Sequence, residues 1–163
     1  MAKKRPQAAK STDNNASKTP PRTLYLVKQV QYKTFLRLEA ALAPLGVSPT
    51  QFRILTSLLH GEKRSSASLS RMFAVKPQTM IKQIAILESN GLIERQLAKG
   101  NKRVLEVSMT DAGRQTLRAC DKAATAVEAE IFASFEPGEV ATYRALMLKI
   151  LAGLRRMPSE TEE

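Results

Sequence analysis

The sequence is poor in the residues from which catalytic and metal centres are built. Its 163 residues include one cysteine, one histidine and no tryptophan. One cysteine cannot form an internal disulfide, and a structural zinc cluster would lack its ligands. The sequence also has no signature of paired catalytic carboxylates or of a phosphate-binding glycine loop. We therefore expect a protein that is not an enzyme and that carries no metal or cofactor.

Long apolar segments are missing as well. No run approaches the roughly 18 residues that a membrane-spanning helix needs, and the polar N-terminus lacks the apolar core of a signal peptide. These absences predict a soluble, cytoplasmic protein. Residues 1–20 contain no large apolar side chain beyond Met1 and predict a disordered basic tail, which either adds DNA affinity or only improves solubility. Residues 158–163 are predicted to form a short acidic tail.

Positive charge is abundant and unevenly distributed. The net charge of +11 and the pI near 10.1 favour a polyanionic partner, which is either nucleic acid or an anionic membrane. Residues 1–22 carry six Lys or Arg against one Asp, residues 61–103 carry nine against three Glu, and the remainder sums to zero. Concentration on residues 61–103 favours a phosphate-facing surface there, the alternative being a merely solvated basic face.

Hydrophobic periodicity predicts a mainly helical fold. A long, broadly apolar first helix is expected over about residues 21–46, and a second begins where Ser48 and Gln51 can form a capping box. Two further helices close the chain, one running from Thr110 toward Ser134 and one opening at Pro137.

The centre of the chain predicts a helix-turn-helix. A third helix is capped by Ser65 or Ser66, and its predicted inward-facing residues are Leu69, Met72 and Phe73. A fourth helix has apolar residues at i, i+4 and i+7, namely Met80, Ile84 and Leu87. Two helices joined by a tight turn allow the second to lie in a DNA major groove.

A basic β-hairpin is predicted directly after the fourth helix. Residues 92–97 and 104–109 are rich in apolar or β-branched side chains, and the intervening residues 98–103 contain a turn-forming Gly-Asn pair. The tip carries Lys99, Lys102 and Arg103. A cationic hairpin beside a recognition helix can reach the neighbouring phosphate backbone or minor groove.

These linked motifs resemble the MarR family (multiple antibiotic resistance regulators), the winged helix-turn-helix transcription factors of bacteria and archaea. The likeness covers about residues 24–157 and includes the Leu-Glu-Ser-Asn-Gly-Leu-Ile-Glu-Arg segment at 87–95 and Met-Thr-Asp-Ala-Gly at 109–113. It implies a mainly α fold with a small β-hairpin wing, in a six-helix, triangular homodimer. The winged core then spans about residues 48–109, and the dimerisation helices span about 21–46 and 110–157.

Three positions depart from the family pattern. Asn101 stands in the wing where the family usually has an aspartate, so the same charge pair cannot form. Gln83 stands where the recognition helix is usually apolar, and Ile81 where a small hydroxyl residue is common. Either the helix is slightly rotated or its base preference differs from that of typical relatives. The apolar stripes of the first and last helices fit either a dimer interface or an intramolecular core.

The DNA-binding residues follow from the motif. Direct base readout is assigned to the start of the fourth helix, at Gln78, Thr79 and Lys82. Phosphate contacts are assigned to Ser66 and Lys76, and the wing contacts to Lys99, Lys102 and Arg103. The alternatives are the ordinary polar face of an amphipathic helix and a solvated hairpin tip.

The family resemblance also implies a small-molecule effector, commonly a phenolic or lipophilic anion. Candidate pocket residues are Tyr25, Tyr32, Arg53 and His60, as aromatic walls and a cation for a carboxylate, although residues of these types are more often packed or solvent-facing. Cys120 is interpreted as a plain helical cysteine, because peroxide-sensing relatives carry theirs on the first helix.

The leading hypothesis is therefore a homodimeric, ligand-responsive transcriptional regulator that binds double-stranded DNA at a palindromic operator and acts as a repressor. The rival is a peripheral membrane or partner-binding protein that uses the basic tail and the amphipathic first helix. The charge distribution disfavours the rival, because positive charge peaks on the winged motif and not on that helix.

Overall fold

The computed structural model describes residues 20–98 and 101–157, so residues 1–19 of the predicted N-terminal tail and the predicted tail 158–163 lie outside the described residues. Six helices are α1 (Thr23–Leu42), α2 (Pro49–Ser57), α3 (Ser66–Phe73), α4 (Pro77–Ser89), α5 (Asp111–Ile131) and α6 (Pro137–Leu154). Three strands are β1 (Arg64–Ser65), β2 (Ile93–Ala98) and β3 (Asn101–Met109), and short 3-10 turns follow α1 and α2. The mainly α fold with a small β wing is confirmed.

The sheet is antiparallel with β3 in the centre, in the order β1-β3-β2. Its register pairs Ile93 with Met109 and Arg64 with Val107, and it shifts between Leu97 and Ala98. The sequence analysis missed β1 and made the hairpin tip too long, because β3 already begins at Asn101.

We call α2, α3, α4 and the sheet together the winged-helix lobe. The core lies among these elements and is closed by Leu42 of α1 and by Leu117 and Cys120 of α5. The predicted spacing on α4 is confirmed, since Met80, Ile84 and Leu87 are 0 to 2% exposed. Leu69 of α3 is buried as expected, whereas Met72 is 46% exposed and Phe73 only half-buried. The inward prediction for Met72 was wrong, because the buried face of this short helix is formed by Leu69 and Ser70.

Local hydrogen bonds fix where α2 and α3 begin. The capping box is present: the Ser48 amide donates to Gln51 Oε1 at 2.8 Å, and the Gln51 amide donates to Ser48 Oγ at 3.2 Å. Of the two serines proposed to cap α3, Ser65 is the one that does so, accepting from the Ser68 amide at 3.1 Å. Each cap satisfies backbone donors that would otherwise have no helical partner.

The end of α4 is joined tightly to the start of α5. Gly91 has a φ of 69°, and the amides of Gly91 and Leu92 donate to the carbonyls of Glu88 and Leu87, both at 2.9 Å. This is the Schellman arrangement, in which a left-handed glycine ends the helix. The Thr110 hydroxyl then donates to the Gly91 carbonyl at 2.7 Å.

Gly113 explains why the Thr-Asp-Ala-Gly segment has its glycine. Its amide donates to Thr110 Oγ1 at 3.0 Å, so Thr110 caps α5. A Cβ on Gly113 would lie 2.0 Å from the Leu92 carbonyl oxygen and 2.8 Å from the Met109 side chain. Only glycine lets α5 approach the backbone at the start of the wing this closely.

The terminal helices α1 and α6 bury few of their side chains, unlike the elements of the lobe. α1 buries only Leu42, at its C-terminal end, and α6 buries no residue at all. Several of their large apolar side chains are 40% exposed or more: Leu24, Leu26, Val27, Val30, Phe35, Leu36, Leu146, Leu148, Ile150, Leu151 and Leu154. Within residues 20–98 and 101–157, no helix combines the length and apolarity needed to cross a membrane.

Candidate nucleic-acid interface

The turn between α3 and α4 sets the position of the candidate recognition helix. Ala74 ends α3 in the left-handed conformation with a φ of 51°, and the Val75 amide donates to the Ser70 carbonyl at 3.1 Å. Pro77 then opens α4, where its fixed backbone angle suits the first helical position. The two helices are thus joined by three residues, as a helix-turn-helix requires.

The two faces of α4 have opposite character. The buried face is apolar, while all three predicted base-reading residues, Gln78, Thr79 and Lys82, are exposed. Lys76, the residue before the helix, is exposed too, and no described side chain caps this end of α4. The amide donors of the first turn are therefore free to join a nearby cation in binding a phosphate. Ser66 is half-buried at the start of α3.

The hairpin is joined to α4 by an ion pair that was not predicted from the sequence. Arg95 on β2 bonds to Glu88 in the last turn of α4. The hydrogen bond from Arg95 holds the pKa of the Glu88 carboxyl below its ordinary value, against an opposing effect of burial, and the positive charge of Arg95 adds to the lowering. The bond also raises the pKa of Arg95. Both residues lie in the 87–95 motif that carried the family resemblance, and this pairing gives that motif a physical role.

The structure describes the backbone of only two of the three predicted wing residues. Lys102 and Arg103 belong to β3, and Lys99 lies outside the described residues. Between the base of the wing and α4 is a cleft of about 260 Å³. It is lined by Ser66, Ile81, Ile84, Arg95, Leu105 and Val107.

The amide of Gln83 is a local irregularity in α4. Its side-chain oxygen is buried and has no hydrogen-bond partner among the described residues. The departure from an apolar residue at this position therefore places a polar atom against the lobe. The buried positions of Met80, Ile84 and Leu87 keep the predicted helix face in place despite it.

The four candidate effector residues are not brought into one described cavity. Tyr25 lines a groove on α1, where its hydroxyl accepts a 2.7 Å hydrogen bond from Gln29. Tyr32 is exposed on the same helix, and His60 is exposed in the turn after α2, with a φ of 61°. The Arg53 guanidinium lies 4.5 Å from the centre of the Phe73 ring, which ties α2 to α3.

Cys120 lies in the core on α5 and is fully buried. Burial raises the pKa of its thiol, and the neighbouring negative charge of Asp121 acts in the same direction. Both effects disfavour the thiolate, which is the reactive form. This environment agrees with the interpretation of Cys120 as a packing residue.

A second apolar groove lies between the terminal helices. It has a volume of about 560 Å³ and is lined from α1 by Leu26, Val27 and Val30 and from α6 by Tyr143, Leu146, Met147 and Ile150, among others. Near its end, the Tyr143 ring packs on Phe132 with 5.6 Å between centroids, and Arg144 bonds to Glu128 at 3.1 Å. These contacts hold α6 against α5 while leaving its apolar face open.

A helix-turn-helix with an exposed polar face, followed by an antiparallel hairpin fixed to its second helix, defines a winged helix-turn-helix protein. This class of fold binds DNA by laying the second helix in the major groove.

Comparison with known proteins gives the family. A sequence model of the MarR family matches residues 47–105. The "HTH-type transcriptional repressor Rv2887" of Mycobacterium tuberculosis is 27% identical over 126 residues, which cover 77% of this chain and 91% of that protein.

Two solved structures share the fold. A mutant of MarR from E. coli, complexed with operator DNA, has a TM-score of 0.69 and 25% identity, covering 78% of this chain and 91% of that chain. Rv2887 in complex with p-aminosalicylic acid has a TM-score of 0.67 and 25% identity, covering 80% and 98%. Residues 47–105 thus match the MarR family of winged helix-turn-helix transcriptional regulators, and the chain is similar to members of that family over most of its length. The rival membrane-binding hypothesis receives no support from these relatives.

Proposed function

We propose that this chain is a homodimeric repressor that binds a palindromic operator and is released from it by a small-molecule effector. The observation that carries the proposal is the two-sidedness of α4. Its apolar face is closed within the lobe, and the side chains suited to base recognition stand on the open face. The names of the relatives, which include transcriptional repressors, support the direction of control.

The open face of α4 supplies the chemistry of base recognition. Gln78 can pair with both major-groove groups of adenine, Thr79 can donate to a base or contact a thymine methyl, and Lys82 can reach guanine or phosphate. Lys76 and Ser66 flank this row and are assigned to phosphates, which fix the position of the protein without reading the sequence.

The wing is assigned to the adjacent minor groove. Arg103, with Lys99 and Lys102, supplies the positive charge, and arginine suits a narrow, electronegative groove better than lysine does. The Glu88–Arg95 pair supports this assignment, because it joins the hairpin to the last turn of α4.

The open faces of α1 and α6 support a homodimer. Exposed apolar patches of this extent are uncommon on monomeric proteins and mark interaction sites. A second copy is a self-complementary partner for such a surface, and its two-fold symmetry would present two recognition helices to half-sites about one helical turn apart.

The effector is proposed to be a phenolic or lipophilic anion. The complex of Rv2887 with p-aminosalicylic acid supports this chemical class. Tyr25, Tyr32, Arg53 and His60 remain the candidate contacts, although Arg53 would have to leave the Phe73 ring to meet a carboxylate. Such a ligand acts by binding one spacing of the two recognition helices better than the other.

Selection of bound duplexes from a random DNA pool tests the operator. We expect a palindromic consensus bound by two chains, as measured by analytical ultracentrifugation of the complex. Equal binding to every oligonucleotide would contradict the proposal.

Arg103→Ala tests the wing within the same experiment. We expect weaker operator binding and a log–log salt slope reduced by about one per subunit, because each subunit of the dimer loses one phosphate-neutralising charge. Unchanged affinity and slope in a salt titration would remove the wing from the interface.

A pair of aspartate variants on α6 tests the dimer. Ile150→Asp places a charge in the apolar groove, whereas Lys149→Asp places the same charge on a neighbouring exposed position outside it. We expect monomers and loss of operator binding only for Ile150→Asp, with helical content unchanged in both. Two dimeric variants, or two monomeric ones, would contradict the assignment of this face.

A further inference from the structure

One large apolar side chain lies close to the polar row on the open side of α4. Ile81 is 48% exposed, although it follows Gln78 by three residues and directly precedes Lys82. The buried face of the helix is already complete, since Met80, Ile84 and Leu87 are almost fully enclosed. Packing in the lobe therefore does not account for the exposed half of this side chain.

We propose that Ile81 recognises a thymine through its C5 methyl group in the major groove. This inference rests on the proposed function, because it requires α4 to lie in that groove. Among the groups that the base pairs present there, the thymine methyl is the apolar one, and aliphatic side chains contact it. An isoleucine beside Gln78 and Lys82 thus adds an apolar contact to a row that otherwise offers hydrogen bonds and charge.

The place of Ile81 along the helix agrees with base contact. It is the fifth residue of α4, and recognition helices contact base edges with their N-terminal residues. The flank of the helix toward the wing is also apolar at this height, because Ile81 lines the cleft together with Ile84 and Leu105. Contacts on that side, together with the stiff β-branched side chain, hold the methyl groups in place before DNA binds.

The neighbouring side chain predicts which bases are read together. Gln78 lies nearly one helical turn before Ile81 and is suited to adenine, so the two residues would favour adjacent A·T pairs. This prediction is specific to this chain, because in the MarR family pattern a small hydroxyl residue is common at the position of Ile81.

Ile86 provides a matched control. It is also an isoleucine on α4 and is 43% exposed, but it lies in the C-terminal part of the helix, which ends at Ser89. Truncating it removes the same apolar volume from α4 without touching the part of the helix that enters the groove.

The experiment uses the full chain and the duplex selected from the random pool. Each thymine of the consensus is replaced in turn by deoxyuridine, which lacks only the C5 methyl, and affinity is measured by fluorescence anisotropy. We expect wild-type affinity to fall about fourfold at one thymine in each half-site, the effect of losing one buried methyl contact. Ile81→Ala should bind the thymine and uracil duplexes equally, while Ile81→Val and Ile86→Ala should retain the difference.

The outcomes separate this inference from the function beneath it. A palindromic consensus with no methyl-dependent thymine, or an Ile81→Ala variant as sensitive as the wild type, would overturn the role of Ile81 and leave operator binding intact. A pool that yields no consensus would overturn the proposed function and this inference with it. Because Ile81 is half-exposed, its variants should melt close to the wild-type temperature, which circular dichroism checks.

Discussion

The winged-helix lobe and the two terminal helices treat apolar surface in opposite ways. In the lobe, residues such as Leu55, Leu69 and Leu87 are completely enclosed by their own chain. On α6, by contrast, Leu146 and Ile150 are about half-exposed, and no residue is buried. The comparison teaches that the lobe proposed to face DNA completes its core within one chain, with Leu42 of α1 and Leu117 and Cys120 of α5 closing it, whereas the exposed faces of α1 and α6 are suited to a second molecule.

Truncating one leucine in each region should give the largest difference in stability between the two regions. Leu87→Ala leaves a cavity in the lobe and is expected to cost about 2–5 kcal/mol at every protein concentration. Leu146→Ala should act only through the proposed dimer, so its cost should shrink as the protein is diluted. Urea unfolding at several protein concentrations distinguishes the two, and a concentration-independent cost for Leu146→Ala would break the comparison.

The glycines offer a second matched pair. In Gly113→Ala the new Cβ meets the Leu92 carbonyl oxygen at 2.0 Å, so we expect a loss of about 3 kcal/mol. In Gly153→Ala, on α6, the new Cβ has open space and a helical backbone, which predicts a gain of about 0.5–1 kcal/mol. Thermal melts measure both, and equal effects would show that the junction tolerates a side chain.

Local patterns of this fold were predictable from the sequence, whereas contacts between distant elements were not. The capping box of Ser48 and Gln51 and the apolar spacing of α4 are local patterns, and both were found. β1 was missed because Arg64 and Ser65 acquire strand geometry only by pairing with β3, far along the chain. The exposure of Met72 likewise depends on which neighbours α3 meets, which helical spacing does not specify.

The candidate site was predictable to a similar degree. The exposed positions of Gln78, Thr79 and Lys82 follow from the opposite apolar stripe. The Glu88–Arg95 pair joins a helix to a strand and has no helical spacing to reveal it. The effector pocket was expected from the family resemblance and its residues from their aromatic or cationic side chains, and residue type does not determine whether such side chains converge on one cavity.

The buried side-chain amide of Gln83 on α4 predicts a smaller change in the free energy of unfolding. Gln83→Leu removes a buried amide oxygen that lacks a partner among the described residues, so we expect a gain of about 1 kcal/mol. Gln115→Leu on the exposed side of α5 should change stability by less than about 0.5 kcal/mol. Destabilisation by Gln83→Leu in urea titrations would show that the amide has a role in the fold.

The pH dependence of the Glu88–Arg95 ion pair should give the smallest change in stability. Because the pKa of Glu88 is lower in the folded protein than its ordinary value of 4.5, its ion pair stabilises the fold above that pH. The contribution should be lost as the pH falls through the lower, folded value. We expect Glu88→Gln to be less stable than wild type at pH 7 and to converge with it in acid, as measured by urea midpoints. Parallel curves would contradict the pairing.

The junction built from Gly91, Thr110 and Gly113 couples the position of α4 to the orientation of α5. With its 21 residues, α5 is about 30 Å long at a rise of about 1.5 Å per residue. Its near end is clamped to the end of α4 by hydrogen bonds and by a contact that admits no side chain. A rotation of α5 by about 5° about its far end would therefore move the end of α4 by about 3 Å, close to the rise of one base pair.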